Sequence, residues 1–422
     1  MKKSLKTYLL LWSTQSLSAL GSGLTGYSLV LWLYTQSGSA LKTALLSVCS
    51  YAPYVIMSIF AGALSDRWNK KKIMLVCDLA AAISTAAVFV LIKTDHLEIW
   101  HLYLVNALSG LMNTVQQPAA EVAATMLIPE KHYQRTSSLR SFSQSLNTIL
   151  TPVIATALFT LAGIDSVIAV DLITFAVAFL TLIFIRIPEL PKNEEEKESL
   201  FASAHGGLLW LKRNPLILKL ILFLACINLI ASVYDSALPA MIISKSGETS
   251  LGIVNACVGI ASLLGSVLTA VIPAPSNRVR AICMALFISM CTENFFLAFG
   301  SNTVVWSVGA VLGWITIPFM NANMDVIFRK SIPAEMQGRV FSCRNTLQFF
   351  TIPLGLFLGG ALVDGVFEPF MEKSGINVLH RLFGTGKGSG AAFLFFCIGI
   401  VGAAVCTVFW FILGKYGWKD GE

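Results

Sequence analysis

The sequence predicts an all-α polytopic membrane protein, with twelve transmembrane helices in two pseudo-symmetric six-helix bundles. Three observations predict it. Long apolar stretches recur from Thr7 almost to the end of the 422-residue chain. Hydrophobic residues make up 55% of it and charged ones 13%, with a mean hydropathy of +0.73, where a soluble domain carries about 25% charged residues. A slide of 204 residues also lays part of the first half over the second. A bilayer core about 30 Å thick is crossed by roughly 20 apolar residues in a helix. Helices satisfy their own backbone hydrogen bonds in lipid. The apolar runs are continuous rather than alternating, which excludes a β-barrel.

The elements follow in order. Span 1, at 7–34, comes after Met1-Lys2-Lys3. That start resembles a signal-peptide n-region, but the stretch runs on to Tyr34, is rich in Ser and Thr, and lacks a clear small-residue cleavage site. It is therefore expected to be a retained helix. Spans 2 and 3, at 41–64 and 72–93, flank a short basic loop. Spans 4, 5 and 6 are expected at 98–121, 138–161 and 164–187. The connection 188–214 carries Pro188, Pro191 and the run Glu194-Glu195-Glu196, then a helix-like segment ending near Arg213. It reads as a solvated linker between an N-terminal bundle, 1–187, and a C-terminal bundle, 215–422. Spans 7 to 10 follow at 215–243, 249–273, 279–299 and 303–327. Span 11, at 338–364, leads into a connection, 365–388, with Gly384, Gly386 and Gly388, which reads as mobile. Span 12 is expected at 389–414.

Twelve spans place both termini on one side. Of the 30 Lys and Arg, 24 fall on that side and 6 on the other, so that side is expected to be cytoplasmic. The net charge of +7 thus records insertion and does not point to nucleic acid. The nine cysteines show no CxxC spacing and read as small apolar residues in the spans. No phosphate-binding Gly loop, metal-ligand cluster or sizeable soluble domain is evident, so an enzyme is not expected.

The duplication is most visible between the fourth and fifth span of each half. Ile128-Pro129 falls on Ile332-Pro333, Arg135 on Arg339, Ser138 on Ser342, Arg140 on Arg344, Gln144 on Gln348, and Ala157-Leu158 on Ala361-Leu362. With Leu150 on Leu354, that is nine identities in 31 positions without a gap. Two like halves are the mark of a secondary transporter.

Between spans 2 and 3 the chain reads Gly62-Ala63-Leu64-Ser65-Asp66-Arg67-Trp68-Asn69-Lys70-Lys71-Lys72. Gly62 permits close helix contact. Asp66 can accept from backbone N–H groups at a helix start or pair with a base, and Arg67 and the lysines suit an anionic leaflet. Asp78, about two turns into span 3, is expected to pair with Arg67 or a lysine of this loop. The stretch resembles the loop signature of the major facilitator superfamily at Gly62, Leu64, Asp66, Arg67, Lys70 and Lys71, with Asn69 in place of the usual Gly. The resemblance implies two six-helix bundles, a central cavity and rocker-type alternating access, with this loop and Asp78 as a conformational latch.

Within that superfamily the chain is similar to the macrolide-efflux type of drug:proton antiporters. The residues that carry this are Lys70-Lys71-Lys72-Ile73-Met74 running to Asp78, Gln116-Gln117-Pro118-Ala119, Ile128-Pro129-Glu130, and Gly338-Arg339-Val340-Phe341-Ser342. Two features depart from many proton-coupled exporters. Span 4 has Asn106-Ala107-Leu108-Ser109-Gly110 where they carry an arginine, and of their Gly-Pro signature in span 5 only Pro152 is clear.

Polar residues in a span face protein or water. Polar stripes at helical spacing make Gln15, Ser22, Asn106, Asn113, Gln116, Gln117, Asn147, Asn228 and Asn321 candidates for a substrate cavity, and the resemblance places spans 1, 4, 7 and 10 around it. Small polar residues that merely join helices are the competing reading. Tyr27, Tyr54, Tyr234 and Trp314 are further cavity candidates, while Trp32 and Trp306 read as an interfacial belt. A carboxyl within a span can take up and release a proton, so Asp235, Glu293 and Asp171 are the proton-coupling candidates, in that order. No histidine lies mid-span. The leading expectation is a proton-coupled exporter of amphipathic, macrolide-like small molecules. Its energy source would be the proton gradient, without a cofactor, and its partners the substrate and the bilayer of the cell membrane. A monomer is the working expectation. Export of a native metabolite or siderophore, and lipid translocation on the same fold, stay open.

Overall fold

The structure, a computed structural model, describes residues 5–128, 133–187, 200–373 and 377–416. It describes their side chains except at 58–67, 125, 133–135, 137–138, 140–142, 200–205, 334–335, 337–339, 342 and 377. The described chain is helical: α1 (Leu5–Ser37), α2 (Ala40–Arg67), α3 (Lys70–Lys93), α4 (Ile99–Leu127), α5 (Tyr133–Phe184), α6 (Leu200–Arg213), α7 (Pro215–Ser246), α8 (Glu248–Val271), α9 (Arg278–Phe299), α10 (Thr303–Trp314), α11 (Ile317–Ser331), α12 (Ala334–Phe349), α13 (Thr351–Leu362), α14 (Glu368–Lys373), α15 (Asn377–Phe383) and α16 (Ser389–Gly414). A π-helical turn, Val363–Phe367, joins α13 to α14.

Helices cover all twelve expected spans. Among the described residues, nine helical stretches are long and apolar enough to cross a bilayer. Spans 5 and 6 form one of them, because α5 continues through both. The break between them is Gly163, at φ 75° and ψ 174°, a region glycine enters without steric cost. The stretches of α1 and α4 are not among the nine. Their Ser, Thr, Asn and Gln lower the hydropathy. Helix starts follow local chemistry. Asn69, Asn277 and Asn302 each accept from a backbone N–H three residues on, at 3.0–3.1 Å, which offsets one unpaired donor of a helix start. Asn69 is extended rather than left-handed, so it serves the loop as an N-cap.

The chain forms two compact units, Met1–Leu33 with Cys49–Ala202, and Tyr34–Val48 with Ser203–Glu422. In the first, Tyr8, Leu11, Met74, Leu127, Leu182 and Ile185 form a buried cluster joining α1, α3, α4 and α5. Gly110 of α4 lies against the Ser50 carbonyl of α2, where any Cβ would collide.

In the second unit α9 is gripped on two sides. Gly309 and Gly313 of α10 meet Phe296 and Glu293, while Gly399 and Gly402 of α16 meet Asn294 and Met290. Such small residues let helix backbones approach closely. Span 10 is interrupted: α10 stops at Trp314 and α11 starts at Ile317, with Pro318 in its first turn. At the break the Thr316 hydroxyl donates to the Ala285 and Gly313 carbonyls, both at 3.0 Å. Span 11 changes at Phe350 from α12 to α13.

Much of the connection 365–388, among its described residues, is helical. It carries α14 and α15, and Phe367, Phe370 and Phe383 gather around Phe393 with ring centroids 5.1–6.0 Å apart. Glu368 accepts from the Gly388 and Ala391 amides at 3.0 and 3.1 Å. Asp364 accepts from Ser39 Oγ at 2.5 Å and from the Ala40 and Leu41 amides at 3.0 Å, capping the start of α2 within this unit. Trp306 is fully buried and donates from Nε1 to the Gly300 carbonyl at 3.0 Å, so it belongs to the interior of the unit rather than to an interfacial belt. All nine cysteines are free.

Candidate functional site

A cavity of about 240 Å³ opens inside the second unit, walled by α7, α9, α10, α11 and α12. It brings together four residues that the sequence singles out, Asp235, Glu293, Asn228 and Asn321, and the aromatic candidates Tyr234 and Trp314. The helices put them there by simple periodicity. On α7, Asn228, Ala231 and Asp235 recur at intervals of three and four and so share a face.

Glu293 is the best-held group in the cavity. It is 4% exposed, and its Oε1 accepts from Trp314 Nε1 at 2.5 Å. Trp314 is the last residue of α10, so the interruption of span 10 is what aims its indole at the carboxyl. Interrupted membrane helices recur at transporter sites. Asp235 is exposed and lines the same cavity. Tyr234 is buried, and its hydroxyl faces Glu293 without reaching hydrogen-bonding geometry. Asn228 Nδ2 donates to the Gln348 carbonyl at 3.1 Å, tying α7 to α12. Asn321 is exposed to the cavity.

The candidates in the first unit do something else. Asp78, 9% exposed, accepts from Gln15 Nε2 at 3.3 Å and from Gln116 Nε2 at 2.5 Å. The expected pairing with Arg67 falls on a side chain outside the described residues. The described partners are two neutral amides, one from α1 and one from α4. Gln15 and Gln116 are thereby engaged by a carboxylate rather than turned to a substrate. Lys71 Nζ donates to the Ile183 carbonyl at 2.7 Å, a C-terminal carbonyl of α5, and Lys70 is buried. Asp171, 4% exposed, accepts from Ser22 Oγ at 3.0 Å, which removes Ser22 from the pool of free cavity donors. Asn106 donates to the Leu102 carbonyl of its own helix at 2.9 Å. Asn113 and Gln117 are exposed and Asn147 is half-buried. The side chains of Gly62, Asp66, Arg67, Arg135, Arg140 and Arg339 lie outside the described set. Arg344 is described: its Nε donates to Gln348 Oε1 at 3.1 Å, and its guanidinium stands 4.5 Å from the Phe328 ring centre.

The sequence reading missed most of the α9 wall. Leu286, Ser289, Met290, Glu293 and Asn294 all line the cavity. Their spacing of three, four, seven and eight is a one-faced helical stripe. The polar members Ser289, Glu293 and Asn294 were a readable signal. It was obscured because α9 is apolar on its other faces too.

A family model for the Major Facilitator Superfamily matches residues 11–356. Macrolide efflux protein A of Streptococcus pyogenes is 24% identical over 397 residues, covering 93% of this chain and 94% of that one. The multidrug efflux pump Tap of Mycolicibacterium fortuitum is 25% identical over 357 residues, covering 81% and 86%. The crystal structure of the nucleoside transporter NupG aligns with a TM-score of 0.69 at 13% identity, covering 98% of this chain and all of that one, a likeness of fold alone. With its apolar helices, interrupted tenth span and family match over most of its length, the chain belongs to the Major Facilitator Superfamily of membrane transporters.

Proposed function

We propose that this protein is a proton-coupled exporter of amphipathic small molecules, macrolide-like drugs among them. It would work by alternating access in the cell membrane, with both termini cytoplasmic. The observation that carries the reading is the pairing of Glu293 and Asp235 in one apolar, aromatic cavity whose described lining holds no Lys, Arg or His. A carboxyl in such a place can bind a proton on one side of the membrane and release it on the other. The surrounding Met, Ile, Leu, Tyr and Trp side chains suit an apolar substrate body. The efflux proteins among the relatives support the direction of transport. No cofactor enters this scheme, because the proton gradient supplies the work.

Inside-out vesicles test it. Energised vesicles containing the protein should accumulate a labelled macrolide, and accumulation should collapse when ΔpH is abolished. Accumulation that persists without ΔpH would overturn proton coupling. Absence of macrolide uptake, with membrane insertion verified, would overturn the drug assignment and leave a native metabolite, siderophore or lipid as cargo.

A further inference from the structure

We propose that the cavity of the second unit is an ammonium subsite, in which Glu293, with Asp235 beside it, receives the protonated amine head of the substrate. The inference rests on the export reading above and deepens it, by naming the chemical class that this cavity selects.

Charge is the first argument. Two carboxyl side chains line the cavity, and no described lining residue is Lys, Arg or His. Arg344 is a cation close to the lining, on the helix that contributes Gln348. Its Nε is bound to Gln348 Oε1 and its guanidinium is set over Phe328, so it is engaged off the wall. A buried carboxyl without a cation is costly, and a substrate that brings the cation offsets that cost.

An unsatisfied atom is the second argument. Asn294 is 2% exposed and lines the cavity. Its Nδ2 donates to the Met290 carbonyl at 2.8 Å, while its Oδ1 has no partner. Tyr234 is 5% exposed and lines the same space, with its hydroxyl turned to Glu293. Buried polar atoms are almost always paired, so the Asn294 oxygen, which lines the cavity, is a place for a ligand donor. Asn294 Oδ1 can only accept, and an ammonium N–H is the donor that it lacks. Trp314 Nε1 is committed to Glu293, Asn228 Nδ2 to the Gln348 carbonyl and Asn294 Nδ2 to the Met290 carbonyl, which leaves neutral donors such as Tyr234 and Asn321 in the wall but no cationic one among the described lining. An anionic head would meet two carboxyls and no cation among the described lining.

Size and surface complete the case. A volume of about 240 Å³ falls below the roughly 300–1,000 Å³ of sites that enclose whole drug-sized ligands. It takes a head group, with the body of a larger substrate outside it. Trp314 and Tyr234 add aromatic surface, which favours cations.

The test is equilibrium dialysis of the purified full chain in detergent against three probes of one size. They are a dimethyl(naphthylethyl)ammonium, its uncharged N-acetyl analogue, and naphthylpropanoate. The ammonium should bind at least about tenfold more tightly than either of the others. Glu293→Gln should erase that preference, and Glu293→Asp should keep part of it. If the uncharged analogue or the carboxylate binds the wild-type protein as tightly as the ammonium, the proposal is overturned, whether or not any variant folds. A preference that survives in Glu293→Gln overturns it as well. Vesicle transport separates this from the export reading. An amine that binds but is not accumulated sinks export and leaves the subsite. Equal accumulation of amine and uncharged analogue sinks the subsite and leaves export.

Discussion

Three carboxylates inside the helices, Asp78, Asp171 and Glu293, share one chemical arrangement. Their described hydrogen bonds come from neutral donors: glutamine amides, a serine hydroxyl and an indole. A guanidinium partner would hold a carboxyl in its charged form. An amide, hydroxyl or indole leaves both forms tenable, because the acid still keeps an acceptor oxygen. That is the property a proton carrier needs. Trp314→Phe removes the one indole donor while keeping the ring. We expect ΔpH-driven uptake to fall severalfold with protein level unchanged, as measured by vesicle flux normalised to immunoblot. Unchanged flux would show that the indole only packs. Asp78→Ala strands two amides on neighbouring helices, at a cost of about 1–3 kcal/mol. It should lower the thermal midpoint in detergent, read by fluorescence-detected gel filtration. The identities of these acids were legible in the sequence, since each is a charge in an apolar run. Their partners were not. Periodicity places Gln15 and Gln116 on a polar stripe, but it does not say whether the stripe meets water or another side chain.

At the scale of elements, close helix contact is what the second unit depends on. Gly355 and Gly359 of α13 lie against the Leu229 and Val233 carbonyls of α7. A leucine at Gly359 has no space there. Overpacking costs about 1–3 kcal/mol, occasionally more. Gly359→Leu should yield little folded protein, whereas Gly365→Leu, where nothing stands within contact of an added Cβ, should express normally. Similar yields for the two would refute the packing argument. Asp364 acts on another element altogether, α2, through three hydrogen bonds at its start. Asp364→Ala should cost about 0.5–2 kcal/mol, the usual range for a lost cap, seen as a lower thermal midpoint. Here the sequence was legible for helices and poor for connections. The break between spans 5 and 6 was placed by apolar length alone, and the structure puts it at Gly163. The glycines of 384–388 say nothing of Phe367, Phe370 and Phe383, which pack on Phe393.

For the whole molecule, apolar length and the distribution of Lys and Arg carry most of the information. Twelve helical spans were legible because lipid imposes one length and one backbone solution on every crossing. The cavity was legible only in part, since its shape comes from five helices meeting at angles that no single stripe encodes. The charge asymmetry makes a prediction of its own. A green fluorescent protein fused after Glu422 should fluoresce, and alkaline phosphatase fused there should be inactive. The reverse pattern would invert the proposed orientation. The glycine grip on α9 has an evolutionary consequence. Ser289 to Phe296 are pressed by α10 on one flank and α16 on the other, so this wall tolerates little change. Variation in what the protein carries should therefore accumulate on the opposite walls, at Ala231, Asn321 and Met324. Under selection with a new compound, adaptive substitutions should cluster there and spare the α9 face.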